Sequence, residues 1–215
     1  MSDFDTSDMS QSELAYAKLF EAIQCGEFRP GARIRETEIA ERISLSRTPV
    51  REALRRLEAD GIIEHRPRAG AVIRSLTHAE VVELYEMRLV LERTAAEMAA
   101  KHAAPAEIDE LRDLNTALGN SRDPQKAAQI NQHFHRCIYL SARNRFLMET
   151  ARALNNALML LGPTTLDDAA RISTVCQQHQ KIIDAIETRD QVGAGAAAEE
   201  HLETSLRHRL KSMRL

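Results

Sequence analysis

Arg47, Arg51 and Arg55 recur at every fourth position of the chain. At helical pitch they form one stripe, with Arg56 beside it, opposite an apolar stripe of Val50, Leu54 and Leu57. A planar guanidinium fork can pair with the O6 and N7 of guanine, or with a phosphate. His65, Arg66 and Arg68 lie just before Gly70, and a glycine there permits close backbone approach to a polyanion such as a minor groove. A second constellation lies further on. Asn131 and His135 are one helical turn apart, while His179 and His201 fall on later segments. Imidazoles and an amide oxygen converging from three helices would form a transition-metal site with open positions. Buried hydrogen-bonded histidines, or exposed ones, would show the same spacing, and an arginine stripe alone also fits a solvated helix face. His133, two residues from His135, should face elsewhere.

The elements that must position these groups follow from periodicity. Leu14, Ala17, Leu19, Phe20 and Ile23 are spaced as one face of a helix that ends near Cys25-Gly26. Phe28-Arg29-Pro30-Gly31 reads as a turn, and a short helix covers about 36–43 with Ile39, Ala40 and Ile43 inward. Ser44-Leu45-Ser46 turns the chain. Ser46 is placed to cap a third helix, which carries Pro49 in its first turn and stops at Gly61. Two strand-like pieces, 62–66 and 71–74, flank the tip Pro67-Arg68-Ala69-Gly70 of a hairpin. From Thr77 onward the pattern is helical. Thr77 and Glu80 form a capping box opening a helix to about Lys101, and Pro105 opens the next. Further helices are expected at 124–141, 144–161, 165–188 and 191–212.

The division is therefore a disordered polar tail at 1–10, a winged helix-turn-helix at 11–75, and an all-helical domain at 76–215. The fold class is mainly α, with a six-helix bundle behind the winged head. Composition agrees: 215 residues, 43% hydrophobic, only 4% aromatic, and rich in helix formers. Net charge is −3, yet residues 29–74 hold eleven Arg against seven Asp or Glu. A local basic patch on a slightly acidic chain suits a nucleic-acid reader joined to a neutral partner domain. Cys25, Cys137 and Cys176 have no C-x-x-C spacing, which argues for a reducing compartment rather than a disulfide framework. No apolar run suggests a membrane span or signal peptide, so a cytoplasmic location is expected.

The run Leu45-Ser46-Arg47-Thr48-Pro49-Val50-Arg51-Glu52-Ala53-Leu54-Arg55-Arg56-Leu57-Glu58-Ala59-Asp60-Gly61 resembles the signature of the GntR family of bacterial regulators. Pro30-Gly31-Ala32-Arg33-Ile34 and the wing Arg68-Ala69-Gly70-Ala71-Val72 resemble it too. That resemblance implies operator DNA as partner, with Arg47 and Arg51 on bases or phosphates and the wing around Gly70 in the minor groove. The full DNA-contacting set expected is Arg35, Ser46, Arg47, Thr48, Arg51, Arg55, Arg68 and Gly70. Some relatives carry a further Arg early in the second helix, where this chain has Thr37 with Arg35 nearby.

The second half resembles the FCD ligand-binding domain of the FadR-type branch, in its shorter VanR-like form. The resemblance rests on Glu83-Leu84-Tyr85-Glu86-Met87-Arg88, Asn131-Gln132-His133-Phe134-His135, the run His179 to Ile186, and Glu200-His201-Leu202. In that family an Asp and three His hold zinc or nickel, and a carboxylate effector binds there. The resemblance thus implies Asn131, His135, His179 and His201 as metal ligands, with a neutral amide where the family has Asp. It implies Arg88 as partner of an effector carboxylate, against the alternative of a surface salt bridge to Glu92. A repressor homodimer with effector-controlled operator affinity is the expected function. A metal-responsive regulator and a metal-dependent hydrolase are the alternatives, the latter opposed by the absence of H-E-x-x-H.

Overall fold

The computed structural model describes residues 9–213. Residues 1–8 of the expected tail lie outside the described residues; Ser10 instead caps the first helix. Packing divides the described residues into two units, 9–76 with Asn155–Pro163, and Thr77–Leu154 with 164–213.

The first unit carries α1 (Gln11–Gln24), α2 (Glu36–Ile43), α3 (Arg47–Ala59), β1 (Ile63–Arg66) and β2 (Gly70–Ile73). Ser10 and Glu13 exchange capping hydrogen bonds at the start of α1. The inward face of α1 is Ala15, Leu19 and Ile23, so Ala15 takes the core position expected of Ala17, which is exposed. Strict four-residue steps from Leu19 and Ile23 account for the difference. The buried face of α3 is Val50, Ala53, Leu54 and Leu57. Ser46 stands at its N-cap position, but its side chain makes no capping hydrogen bond. Gly61 takes φ +72 just past the helix, a left-handed conformation that costs glycine little.

The strands pair antiparallel with Ile63 opposite Ile73 and Arg66 opposite Gly70. Residues 31–34 add to the far side of β2: the Ile34 N–H donates to the Ala71 carbonyl, and the Ile73 N–H to the Ala32 carbonyl, at 2.8 and 2.9 Å. This small sheet covers the helices through Ile62, Ile63, Ala71 and Ile73. Leu160, from a 3-10 turn at Met159–Leu161, is buried in the same core.

The second unit is built on α4 (His78–His102), α5 (Pro105–Asn120), α6 (Pro124–Ser141), α7 (Arg145–Leu158) up to Leu154, α8 (Ala169–Glu187) and α9 (Gln191–Ser212). The Thr77–Glu80 capping box and Pro105 at the first helical position are both present. Helix α8 begins at Ala169 rather than near 165, because the Asp168 carboxylate accepts from the Ala170 N–H and caps it there. Helix α9 runs between α4 and α8. Small residues allow this: Ala95, Ala96, Ala99 and Ala100 on α4, and Ala194 and Ala198 on α9, are buried in one core. A Cβ on Gly195 would come within 2.5 Å of the Glu97 carboxylate. No described helix is long and apolar enough to cross a membrane.

Candidate DNA-reading face and histidine site

Helix α3 buries its apolar stripe and leaves Arg47, Thr48, Arg51, Arg55 and Arg56 exposed. Arg51 offers Nε and Nη2 to the two oxygens of Glu36 at 3.0 Å each, and Arg47 approaches the same carboxylate at 3.4 Å. The hydrogen bond from Arg51 holds Glu36 below its usual carboxylate range. Glu36 stands in the first turn of α2, so it holds the exposed Arg51 side chain by its Nε/Nη2 edge in this structure. Ser46 and Thr48 lie at the N-terminus of α3, where free backbone N–H groups favour a phosphate. Arg35 precedes α2 and is paired with Glu38 at 2.5 Å.

The wing brings a second set of basic side chains. His65 pairs with Glu58 and Arg66 with Glu64, whereas Arg55 and Arg68 have no ion partner among the described residues. Arg68 holds φ +66 in the turn after Pro67, where a glycine would be less strained, and Gly70 holds φ +77. The exposed arginine at the tip thus occupies a position that backbone energetics alone would not select.

In the second unit, α6, α8 and α9 bring His135, His179 and His201 together. Their ligand nitrogens lie within 4.8 Å of one another, and ring centroids are 4.8–5.5 Å apart. All three are buried, with exposures of 9%, 0% and 2%. His179 stacks on Phe134 at 3.8 Å and has no hydrogen bond to either ring nitrogen. The Nδ1 of His135 meets Glu92 Oε2 at 2.6 Å, which leaves Nε2 buried without a partner. The Nδ1 of His201 meets the Gln178 carbonyl oxygen at 3.2 Å, while the Gln178 amide donates to Thr204. A ring whose one nitrogen donates to a carboxylate or amide oxygen presents the other as a lone pair. Asn131 Oδ1 is likewise buried with no partner.

Helix α4 supplies the floor. The expected Arg88–Glu92 pair exists, but it is buried rather than on the surface: Arg88 Nε and Nη2 reach Glu92 Oε1 at 2.8 and 2.7 Å, with both side chains 9% exposed. Burial pushes the Glu92 carboxyl up, but the charge of Arg88 and the hydrogen bond from His135 more than reverse it, and it stays ionised. Glu92 thus joins Arg88 to His135, a role the sequence reading did not assign. The cavity beside it, lined by Glu92, His135, Tyr139 and His201 among others, is about the size of a water molecule.

Arg171 on α8 was also missed. It is 5% exposed, donates from Nη2 to Ser205 at 3.0 Å, and keeps Nε and Nη1 buried without partners. Its charge helps to hold His179 and His201 deprotonated. A buried cation with unpaired donors is costly unless an anion completes it.

Burial, followed by the neighbouring cationic groups, pushes His179 and His201 well below the ordinary imidazole range. Unfolded imidazoles titrate near about 6.5. Below that pH the unfolded chain takes up protons that the folded chain does not, so stability is full above about 6.5 and falls as pH drops. Metal-stripped protein should lose up to about 1.4 kcal/mol per histidine per pH unit between pH 6 and 5. Urea unfolding across that range checks this, and a His179→Gln/His201→Gln variant should flatten the slope.

Comparison with known proteins follows the same two-part division. Residues 11–73 match the profile of "Bacterial regulatory proteins, gntR family", and residues 83–204 match that of the FCD domain. The HTH-type transcriptional regulator YdhC of Bacillus subtilis is 29% identical over 197 residues, covering 90% of this chain and 86% of its own length. A D-xylose utilization operon transcriptional repressor of Paenarthrobacter nicotinovorans is 32% identical over 184 residues, covering 82% and 79%. The Uxu operon transcriptional regulator of Escherichia coli is 30% identical over 199 residues, covering 82% and 77%. Among solved structures, a GntR regulator from Rhodococcus sp. RHA1 superposes with TM-score 0.80 at 26% identity, over 95% of this chain and 99% of its own. E. coli McbR/YncC gives 0.83 at 22% identity over the same shares, which shows a common fold.

Proposed function

The chain belongs to the GntR family of bacterial regulatory proteins, with an FCD domain behind its winged helix, and from that membership we propose that it is a homodimeric repressor released by a small carboxylate bound beside Arg171. Its family and named relatives are DNA-binding transcriptional regulators, so the hydrolase alternative drops out. The observation that carries the finer reading is the buried Arg171, with two unpaired donors, whose charge is felt by His179 and His201 of the cluster of three imidazoles with open nitrogens. Arg88, expected to take the carboxylate, already has its charge matched by Glu92.

The donors fit a divalent transition ion such as zinc or nickel. His135, His179 and His201 would hold it, with the orphaned amide oxygen of Asn131 as fourth ligand. When bound, the ion supplies a Lewis-acid docking point for an anionic oxygen. The neutral Asn131 holds the ion less firmly than a carboxylate and leaves the site more cationic, which favours an anionic effector. Arg171 would orient that anion through paired N–H donors.

The cavity admits only a water-sized group, so an acid of several carbons enters only as the helices around it part. The effector then selects a conformer in which α8 and α9 are displaced, and it acts only by its differential affinity for the two states. DNA reading falls to Arg35, Ser46, Arg47, Thr48, Arg51, Arg55, Arg68 and Gly70, with two heads on a near-palindromic operator. The relative named for a D-xylose operon carries the name of a repressor, which supports that sign here.

The test begins with metal content of untagged protein by elemental mass spectrometry. His135→Ala should lose the ion from this site, and Asn131→Asp should retain it through chelator treatment that strips the parent. Small carboxylates are then screened for release of operator DNA. Arg171→Met should keep the ion and DNA binding but lose the response to acids. A full response in that variant sinks the assignment of Arg171. Release by the ion alone, without any acid, makes the protein a metal sensor instead.

A further inference from the structure

His133 faces away from the histidine site, as its spacing requires, since residues two apart on a helix point roughly 200° apart. It lies one turn from Cys137 on α6, and both meet Glu110 of α5. His133 Nε2 is 3.5 Å from Glu110 Oε1, and the imidazole, thiol and carboxylate ligand atoms all lie within 4.8 Å of one another. Cys137 is buried at 4% exposure, while the side chains of His133 and Glu110 are about half exposed. We propose that Glu110, His133 and Cys137 form a second divalent-metal site, of zinc type, that clasps α5 to α6 independently of the histidine site.

Zinc bonds of about 2.0–2.3 Å to nitrogen, oxygen and sulfur place tetrahedral ligands roughly 3.3–3.8 Å apart. The His133–Glu110 separation already matches. The remaining closure is at most about 1–1.5 Å by that measure, within reach of two exposed side chains turning over a fixed thiol. Thiolate, imidazole and carboxylate together suit a borderline ion and disfavour magnesium or calcium. On binding, the Cys137 thiol would release its proton to solvent, and the metal-held thiolate with the Glu110 carboxylate would neutralise a dication in place, so uptake weakens as pH falls. Of the other charges around Cys137, Glu107 adds negative potential and Arg136 opposes it. Glu107 is itself engaged with the Ala104 N–H and Arg143, so it stands outside the ligand set. Three protein ligands leave a fourth position for water or an incoming group.

A redox or nucleophilic role for Cys137 does not compete. Burial, together with Glu110, pushes the thiol up to about 12, so the reactive thiolate is absent near neutral pH. Cys176, by contrast, has a structural partner, its Sγ lying 3.6 Å from the Asn115 carbonyl.

The experiment uses the full chain, stripped with chelator and titrated with Co²⁺. Thiolate-to-cobalt charge transfer in the near ultraviolet reports Cys137, which the all-histidine site cannot produce. The band should develop in the parent and in His135→Ala, and be absent in Cys137→Ser. Because Cys137 is buried, the exposed variants His133→Gln and Glu110→Gln provide the check that does not depend on core packing. Each should weaken cobalt uptake at this band by about tenfold or more. No thiolate band in the folded parent, or a band unchanged in His133→Gln and Cys137→Ser, overturns the proposal. Loss of the band in His135→Ala overturns the independence of the two sites.

Discussion

Arg51→Ala should lower operator affinity by at least about a hundredfold, since the proposed dimer would lose one bidentate contact from each of two half-sites and each would be worth roughly tenfold or more. The loss concentrates at one base pair per half-site: substituting that base costs the parent affinity but costs the variant nothing further. Arg55→Ala behaves differently. Arg55 is exposed one turn on, without an ion partner among the described residues, and the proposed reading gives it a phosphate. Its removal weakens all sequences alike and lowers the slope of log affinity against log salt by about one per arginine. In the free protein Arg51 is held by Glu36, so DNA must replace that exposed pair. Exposed pairs are weak and screened by salt, and the exchange leaves most of the contact's value to the operator. Fluorescence anisotropy on selected operator fragments at several salt concentrations measures all of this. An Arg51→Ala variant that binds as tightly as the parent removes the stripe from the reading face.

The head was legible because its signals are periodic and local. Val50, Leu54 and Leu57, on a stripe about a quarter-turn from Arg47, Arg51 and Arg55, fix which side of α3 is buried, whatever it packs against. The misassignment of Ala17 shows the limit: alanine is apolar enough for either face, so only packing decides between Ala15 and Ala17. The start of α8 required knowing that Asp168, and not an earlier residue, caps it. In the second unit the three histidines were legible as residue types, and the structure does bring them together. Glu92 and Arg171 were not, because charged residues on a helix are by default read as solvated. A signal was nonetheless present. Arg88 and Glu92 interrupt the same α4 stripe that carries Ala95, Ala96 and Ala99, and Arg171 continues the α8 stripe of Val175, Gln178, His179 and Ile182. A charge at a core position of a helical stripe marks a buried partner or ligand. Their pairings cross from helix to helix, and no single-helix period encodes those.

Glu92→Leu should destabilise the second unit by about 3–5 kcal/mol, since it strands the Arg88 charge in a buried site. By the usual size scaling the melting temperature falls by roughly 10–15 °C. The double variant Arg88→Met/Glu92→Leu removes both charges and should recover most of that loss, because a buried ion pair is often no more stabilising than apolar side chains of similar volume. Recovery stays incomplete by about 1–3 kcal/mol, the cost of leaving His135 Nδ1 without its acceptor. The same unpaired nitrogen has a second consequence: His135 loses the group that orients it, and ion retention at the histidine site weakens by about 10- to 100-fold. Saturating metal separates the two roles. If Arg88 acts only through Glu92, the double variant regains its response to a carboxylate once the ion is restored. If Arg88 grips the carboxylate itself, the response stays lost at any metal concentration, and Arg171 is then not the sole anchor. A Glu92→Leu protein as stable as the parent, or a double variant no better than the single one, removes the buried pair as the element that joins α4 to His135.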